Sequence, residues 1–199
     1  MRTDFRRLLH PFTESPEMHK PAHAIEIFLQ PGEFHFDGKE TRIRTLLGSC
    51  VAITMWHPEK RIGGMCHFML PSRTVRPAGE LDGRYADEAI ELFLREIRMQ
   101  GTRPGEYQVK LFGGGNMFDV PTRCRQEDDC NNVACRNVMA ARRLLQAQKL
   151  VVAAEHVGMQ GHRNVMFDIW SGKVWMRYVD KAVPQMKVSD LEENQCINS

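Results

Sequence analysis

The sequence contains one cysteine whose surroundings suit a nucleophile. Cys50 follows a predicted turn at Gly48 and Ser49 and precedes the β-branched, apolar run at 51–56. Backbone N–H groups at such a turn point outward instead of into a strand ladder. They can therefore form an oxyanion hole that stabilises the charge developing on an attacked carbonyl. A cysteine at the start of a strand is also compatible with a buried core position, since free cysteine is among the most buried residue types.

His67 is the candidate base. It lies seventeen residues after Cys50 in the apolar segment 64–70, and the stretch 57–63 between the two predicted strands suits a turn. Two consecutive antiparallel strands place such positions side by side. Side chains alternate along a strand, so if His67 faces the site, Cys66 faces the core and is excluded as the nucleophile. A buried histidine bonded only to backbone is the alternative interpretation.

A thiol and an imidazole placed together have a defined chemical use. A free thiol has a pKa of about 8.5, so only a small fraction is thiolate at neutral pH. A neighbouring imidazole takes the proton and later returns it to departing ammonia. We therefore expect the imidazole to lower the pKa of Cys50 and to make it the most reactive of the six cysteines.

A glycine-rich segment and a cluster of cysteines do not match the motifs of nucleotide or zinc sites. The segment 113–118 (GGGNMF) lacks both the G-x-G-x-x-G spacing and a following Lys-Ser/Thr, so a nucleotide loop is rejected. Its glycines instead favour a close backbone approach or a wall of an active-site cleft. Cys124, Cys130 and Cys135 lack the C-x2-C step of common zinc sites, and we expect incidental, reduced thiols. We predict no metal and no cofactor.

Composition limits the class of protein. The 199 residues carry 27 Lys+Arg against 25 Asp+Glu, a formal net charge of +2 that gives no electrostatic case for nucleic acid. The N-terminal stretch has no apolar region typical of a secretory signal. The longest apolar runs are far shorter than the roughly 20 residues that span a bilayer. We therefore expect a cytoplasmic protein without direct membrane insertion.

Hydrophobic periodicity predicts a layered fold. Strands are expected at 25–29, 44–47, 51–56, 64–70, 108–112, 150–155, 165–170 and 173–179, and helices at 85–100 and 132–148. Because the strands are mostly consecutive, the pattern favours an α+β sandwich with mixed or antiparallel sheets and two main helices over a doubly wound parallel sheet. Residues 1–24 are predicted to be a mobile arm, 25–180 the folded domain and 181–199 a loosely ordered tail.

Several sequence blocks together resemble one known family. Between residues 42 and 178, in order, the chain resembles the chemoreceptor glutamine deamidases of the CheD family in the blocks TLLGSCVA, HFMLP, YAD, KLFGGGNMF, RN, EHVG and SGKV. The resemblance implies a sandwich similar to that of toxin-type cysteine deamidases. It also implies hydrolysis of receptor glutamines to glutamates through a cysteine thioester. Cys50 and His67 match the family's nucleophile and base, and Thr45 is the candidate for its third catalytic residue.

The expected substrate is a helical surface of a chemoreceptor cytoplasmic domain. We assign the substrate-binding rim to Gly48, Ser49, Gly113 and Gly114, because glycines let a helix come close. Members of this family also associate with a CheC-type phosphatase. A non-catalytic adaptor that binds receptor and phosphatase is therefore the alternative function. A generic amidase or transglutaminase acting on another protein would share the chemistry and differ only in its substrate.

Overall fold

The structure is a computed structural model that describes residues 20–75, 79–117, 130 and 132–180. Its strands are β1 Ile25–Phe28, β2 Phe34–Asp37, β3 Thr41–Leu47, β4 Val51–His57, β5 Ile62–Phe68, β6 Gln108–Gly113, β7 Val152–Val157, β8 Gly161–Asp168 and β9 Lys173–Asp180. Its α-helices are α1 Ala86–Met99 and α2 Val133–Ala147, and a short 3-10 helix spans Pro104–Glu106. The predicted tail, most of the predicted arm, Cys124 and Cys196 lie outside the described residues.

The strands form two sheets. A four-stranded sheet has the order β1-β3-β8-β9, and a five-stranded sheet has the order β2-β5-β4-β6-β7. Most neighbours are antiparallel, including the predicted β4–β5 and β8–β9 pairs. Strand β1 pairs with β3, and β6 with β7, in parallel. The mixed sheets and the two helices confirm the predicted α+β class.

Two apolar cores separate three layers. One core lies between the helices and the five-stranded sheet and includes Phe93 of α1 and Leu111 of β6. The other lies between the two sheets and includes Ile43 of β3 and Met65 of β5. The order of layers is therefore helices, five-stranded sheet, four-stranded sheet.

Strand β4 is buried on both faces because it lies in the middle of the five-stranded sheet. Val51 and Ile53 face the helices, whereas Ala52 faces the other sheet. A strand with two covered faces has no polar side, which explains its nearly continuous apolar sequence. Cys50 immediately precedes this strand, so its backbone position depends on a firmly packed element.

Two features differ from the predictions. Strand β2 (FHFD) was not predicted, because three partly buried residues and one exposed residue carry little periodic signal. Cys130 and Cys135 form a disulfide, so the expectation of reduced thiols is wrong for these two. The reason is geometric: α2 begins at Val133, and its first turn brings the Cα of Cys135 to 5.9 Å from that of Cys130, within the usual span of a disulfide.

The helices cover one face of the five-stranded sheet. In α1 the buried residues recur at helical spacing, as Ala86, Ala89, Ile90, Phe93 and Ile97. The remaining face is charged and solvated, which is the pattern of an amphipathic surface helix. Neither described helix has the combination of length and apolarity needed to cross a membrane.

The turn between β8 and β9 offers a test of how the two sheets are held together. Gly172 has φ +69°, and a Cβ there would lie 2.3 Å from the Trp56 ring of the other sheet. Gly158 has φ +73° and no neighbour within 4 Å of the equivalent position. We expect Gly158→Ala to cost about 1–2 kcal/mol, for the left-handed backbone alone. Gly172→Ala should cost roughly 1–3 kcal/mol more, through overpacking.

Urea unfolding of both variants measures this difference in the free energy of unfolding. Equal losses would show that the contact between Gly172 and Trp56 does not constrain the packing of the sheets.

Candidate active site

Thr45 and His67 are hydrogen-bonded across the two sheets. Thr45 lies on β3 and His67 on β5, and Thr45 Oγ1 is 2.7 Å from His67 Nδ1 and 2.9 Å from the carbonyl oxygen of Leu29. A carbonyl oxygen only accepts, so the hydroxyl donates to Leu29 and accepts from Nδ1–H. This arrangement assigns the ring proton to Nδ1 and leaves the lone pair on Nε2.

Strand register places Cys50 on the same face of the five-stranded sheet as this imidazole. Ala52 of β4 pairs with His67 of β5, and Cys50 is two residues before Ala52, so both side chains face the same side. The Cys50 side chain packs against the core between the sheets and is partly exposed. His67 Nε2 is buried and has no hydrogen-bond partner among the described residues. Its lone pair is therefore unused on the side of the sheet that also carries the thiol.

Cys66 occupies the opposite face of β5. It lies fully buried in the core beneath the helices, where burial raises the pKa of its thiol to about 12. The prediction that Cys66 faces the core while His67 faces the other way is confirmed. Among the described cysteines outside the disulfide, Cys50 is thus the accessible one.

Burial sets the charge state of the pair. It lowers the pKa of His67 to about 4, while the Leu29 carbonyl and the Glu33 carboxylate act weakly in the opposite direction. Burial also raises the pKa of the Cys50 thiol above its ordinary value, despite hydrogen bonds from its own backbone and from Ser49. Both groups are therefore neutral at pH 7. The expectation of a lowered thiol pKa is wrong for the resting site, because desolvation outweighs the hydrogen bonds that favour the thiolate.

The turn that precedes β4 has unused backbone donors. The carbonyl oxygens of Gly48 and Cys50 accept hydrogen bonds from the N–H groups of Gly115 and Gly114, each at 2.7 Å. The N–H groups of Gly48 and Ser49 donate to no acceptor in the described part of the chain, and the N–H of Cys50 contacts only the sulfur of its own side chain. All three residues are partly exposed. Accessible, unpaired backbone donors beside a thiol are the components of an oxyanion hole.

Gly113 and Gly114 are buried, and their small size serves internal packing. A Cβ at Gly113 would lie 2.2 Å from the carbonyl oxygen of Cys50, and a Cβ at Gly114 would lie 2.2 Å from Val138 of α2. The predicted close backbone approach is present, but it is made to β4 and α2. The space that a side chain would need is filled by the protein itself and is not open to an approaching helix. Gly48 and Ser49 are the exposed part of the predicted rim.

Asn137 is a further residue of this site, to which the sequence analysis assigned no role beyond its place in the RN block. Its side chain is fully buried. Its Nδ2 donates to the carbonyl oxygen of Ser49 at 3.2 Å and to that of Met69 at 2.7 Å. The signal in the sequence is a polar residue on the apolar side of an amphipathic helix, where it needs a specific partner.

Arg163 is fully buried at the same end of the sandwich, on β8 opposite Leu47 of β3. Its Nε donates to His156 Nδ1 at 2.9 Å, its Nη2 donates to the carbonyl oxygen of Gly158, and its guanidinium lies 5.1 Å from the Tyr178 ring centroid. No carboxylate pairs with it within the described ranges. Burial and then the positive charge of Arg163 lower the pKa of His156, so this ring stays neutral and accepts the hydrogen bond.

These groups form a set suited to acyl transfer to a thiol. They comprise an accessible thiol, a neutral imidazole whose tautomer is fixed, and a turn with N–H donors that no other residue accepts from. The described residues include no group of three or more His, Cys, Asp or Glu side chains arranged to hold a metal ion.

The low pKa of His67 predicts a loss of stability in mild acid. Its pKa in the folded protein, about 4, lies below the ordinary 6.5. Between these values the unfolded chain binds a proton that the folded chain does not, so the free energy of unfolding falls as pH decreases. The stabilisation is complete above about pH 6.5, and roughly 3 kcal/mol is lost on reaching pH 4.

His67→Gln removes this titration while its amide can still donate to Thr45. Urea unfolding at pH 7, 6, 5 and 4.5 should therefore show a flatter pH dependence for the variant than for the wild type. An identical pH dependence in both proteins would mean that the folded protein protonates His67 normally.

The chain was compared with protein-family models and with solved structures. A family model described as CheD chemotactic sensory transduction matches residues 69–178. A solved structure, the hypothetical protein YfiH of Bacillus licheniformis, aligns at 13% identity with a TM-score of 0.39. That alignment covers 61% of this chain and 49% of that chain, and the likeness is too distant to indicate a shared function.

The similarity to curated proteins extends over most of the chain. A protein of Dechloromonas aromatica named probable chemoreceptor glutamine deamidase CheD 3 is 52% identical over 167 residues, which cover 84% of this chain and 95% of that protein. A probable chemoreceptor glutamine deamidase CheD of Pseudomonas fluorescens is 49% identical over 180 residues, which cover 90% of this chain and 98% of that protein. On this evidence the chain belongs to the CheD family of chemotaxis proteins.

Proposed function

We propose that this protein hydrolyses glutamine side chains of chemoreceptors to glutamates, with Cys50 as nucleophile, His67 as base and Thr45 as the residue that orients the base. The observation that carries the proposal is the 2.7 Å contact between Thr45 Oγ1 and His67 Nδ1, on the side of the sheet where Cys50 enters β4. The names of the curated relatives support the choice of substrate.

The reaction proceeds in two halves. The Cys50 thiol gives its proton to His67 Nε2 as Sγ bonds to the amide carbon, and the carbonyl becomes an oxyanion. The C–N bond then breaks, Nε2 returns the proton to the departing ammonia, and a thioester remains. Water next attacks the thioester carbon while Nε2 accepts its proton. The C–S bond breaks, the thiol is re-formed, and a glutamate side chain is released.

The neutral states of the Cys50 thiol and the His67 imidazole determine when the thiol proton is transferred. Burial raises the pKa of the Cys50 thiol and lowers that of His67, so both groups are mainly neutral before substrate binds and proton transfer accompanies attack on the carbonyl. An imidazole whose pKa is lowered to about 4 by burial is a strong acid once protonated, and it delivers the proton readily to the leaving nitrogen. The developing oxyanion is stabilised by N–H groups of the turn at Gly48, Ser49 and Cys50.

The substrate side chain approaches from the exposed side of the turn. We assign Gly48 and Ser49 to contact with the substrate, and Gly113 and Gly114 to support of the turn from beneath through the Cys50 carbonyl. A glutamine side chain projecting from a receptor helix matches this geometry, because only an extended primary amide needs to enter. The reaction needs no cofactor, and we place it at the cytoplasmic domain of the receptor, in the cytoplasm.

Substitution of the nucleophile tests catalysis against the adaptor alternative. Cys50→Ser nearly preserves volume but replaces the thiol with a much weaker acid that this base cannot activate. We expect the variant to fold, to bind a receptor cytoplasmic fragment like the wild type in a pull-down, and to release no ammonia. Cys66→Ala is the matched control, because it removes a cysteine from the opposite face of β5 and should retain turnover.

Intact mass of the receptor fragment before and after incubation is the readout. Deamidation by Cys50→Ser at the wild-type rate would refute the nucleophile assignment. A wild-type protein that binds the fragment without altering its mass would favour the adaptor. Association with a CheC-type phosphatase stays a prediction, and the same pull-down with such a phosphatase as bait tests it.

Two substitutions of Thr45 distinguish the effect of its hydroxyl group from the effect of its side-chain volume. Thr45→Val keeps the volume but leaves both Nδ1–H and the Leu29 carbonyl without a partner, whereas Thr45→Ser keeps the hydroxyl. We expect Thr45→Val to lower kcat by roughly 10–100-fold, as loss of an orienting group does, with KM little changed. Thr45→Ser should retain most of the wild-type kcat. Equal kcat for Thr45→Val and Thr45→Ser would assign the orientation of His67 to another group.

A further inference from the structure

Each carbonyl of the turn before β4 is held by a hydrogen-bond donor. The oxygens of Gly48 and Cys50 are bound by backbone N–H groups of the glycine segment that follows β6. The oxygen of Ser49 is bound by the side-chain amide of Asn137 on α2, at 3.2 Å. Of the three carbonyls, only the Ser49 carbonyl depends on a side chain, so a single substitution can release it without altering the backbone of either segment.

The Ser49 carbonyl controls the direction of the Cys50 N–H. A peptide unit is planar and normally trans, so its C=O and N–H point in opposite directions. A hydrogen bond that holds the Ser49 oxygen towards α2 therefore aims the Cys50 N–H away from α2. Apart from the sulfur of Cys50 itself, this N–H has no acceptor among the described residues, so it is available to a bound substrate. If the peptide unit rotated, a carbonyl oxygen would occupy that direction and would repel an oxyanion.

The contacts of Asn137 identify its amide nitrogen as the functional atom. Its side chain is 0% exposed, and its two partners, the oxygens of Ser49 and Met69, are both carbonyls. Carbonyls only accept, so the NH₂ group must face them. Oδ1 is buried and has no partner among the described residues, a destabilising arrangement for a polar atom. The side chain thus makes two donor contacts, although its acceptor stays unsatisfied.

The two carbonyls flank the two strands that carry the proposed catalytic pair. Ser49 immediately precedes Cys50, and Met69 follows His67 by two residues, just after the end of β5. One amide group therefore joins the start of the nucleophile's strand to the end of the base's strand. Asn137 is separated from these partners by 88 and 68 positions in the sequence, so the contact exists only in the folded state.

From this geometry we infer that Asn137 is a positioning residue that holds the Ser49–Cys50 peptide in the orientation required for an oxyanion hole. The inference rests on the proposed function in taking Cys50 as the nucleophile. It assigns to α2 a role in the chemistry beyond covering the sheet. If Asn137 only stabilised the packing, its substitution would also change the position and exposure of the Cys50 thiol.

Two reactions of Cys50 separate these roles. Acylation by p-nitrophenyl acetate passes through a tetrahedral oxyanion, whereas alkylation by iodoacetamide displaces iodide and forms none. In Asn137→Ala and Asn137→Leu, we expect the acylation rate to fall at least about tenfold and receptor kcat about 100-fold, with KM and the alkylation rate within about twofold of wild type. The leucine variant fills the space of the amide, so a failure of the alanine variant to fold does not remove the test.

Leu145→Ala is the matched control on the same helix. Leu145 is fully buried in the core and makes no hydrogen bond to the turn. Its truncation should lower the thermal midpoint while both Cys50 reactions keep their wild-type rates. A parallel loss in this control would mean that weakened helix packing alone disturbs the site.

The outcomes distinguish this inference from the proposed function. Unchanged acylation in both Asn137 variants, or an alkylation rate that falls in parallel with acylation, would overturn the role of Asn137. A wild-type protein that is acylated in an Asn137-dependent manner but never deamidates the receptor fragment would support the inference and refute the proposed substrate.

Discussion

The hydrogen bond between Thr45 and His67 crosses the boundary between the two sheets, and the geometry of the site depends on it. A buried imidazole needs a partner for its N–H, and the threonine hydroxyl in turn needs an acceptor, which the carbonyl of Leu29 supplies. This chain of donors links the end of β1, strand β3 and strand β5. The tautomer of His67 is therefore fixed only when both sheets are packed in register.

Hydrogen bonds from distant segments also fix the turn before Cys50, where the groups held in place are backbone carbonyls. Gly114 and Gly115 bind two of these carbonyls, and their neighbour Gly113 lies so close to Cys50 that any side chain would collide with its carbonyl oxygen. Asn137 binds the third carbonyl from α2. Because the carbonyls are occupied, the turn is left with N–H groups to offer a substrate. The helix layer and the five-stranded sheet thus contribute jointly to one loop.

Burial lowers the reactivity of the thiol and encloses a positive charge at this end of the sandwich. It keeps the imidazole and the thiol neutral, so the resting protein carries little thiolate, the form that oxidants and alkylating agents attack. It also encloses the guanidinium of Arg163, which contacts His156, the carbonyl of Gly158 and the ring of Tyr178. His67, Asn137 and Arg163 each make at least one defined contact, although one polar atom of each side chain is buried without a hydrogen-bond partner among the described residues.

Local features of the sequence predicted the candidate site residues and most elements of the fold. The Gly48–Ser49 turn, the alternation that separates Cys66 from His67, and the apolar run of β4 are set by neighbours in the chain, because turns and strands have short periods. Strand β2, the disulfide of Cys130, the raised pKa of Cys50 and the contact of Asn137 with Ser49 could not be predicted in this way. These features arise from solvation and from contacts between distant segments, which exist only once the layers have packed together.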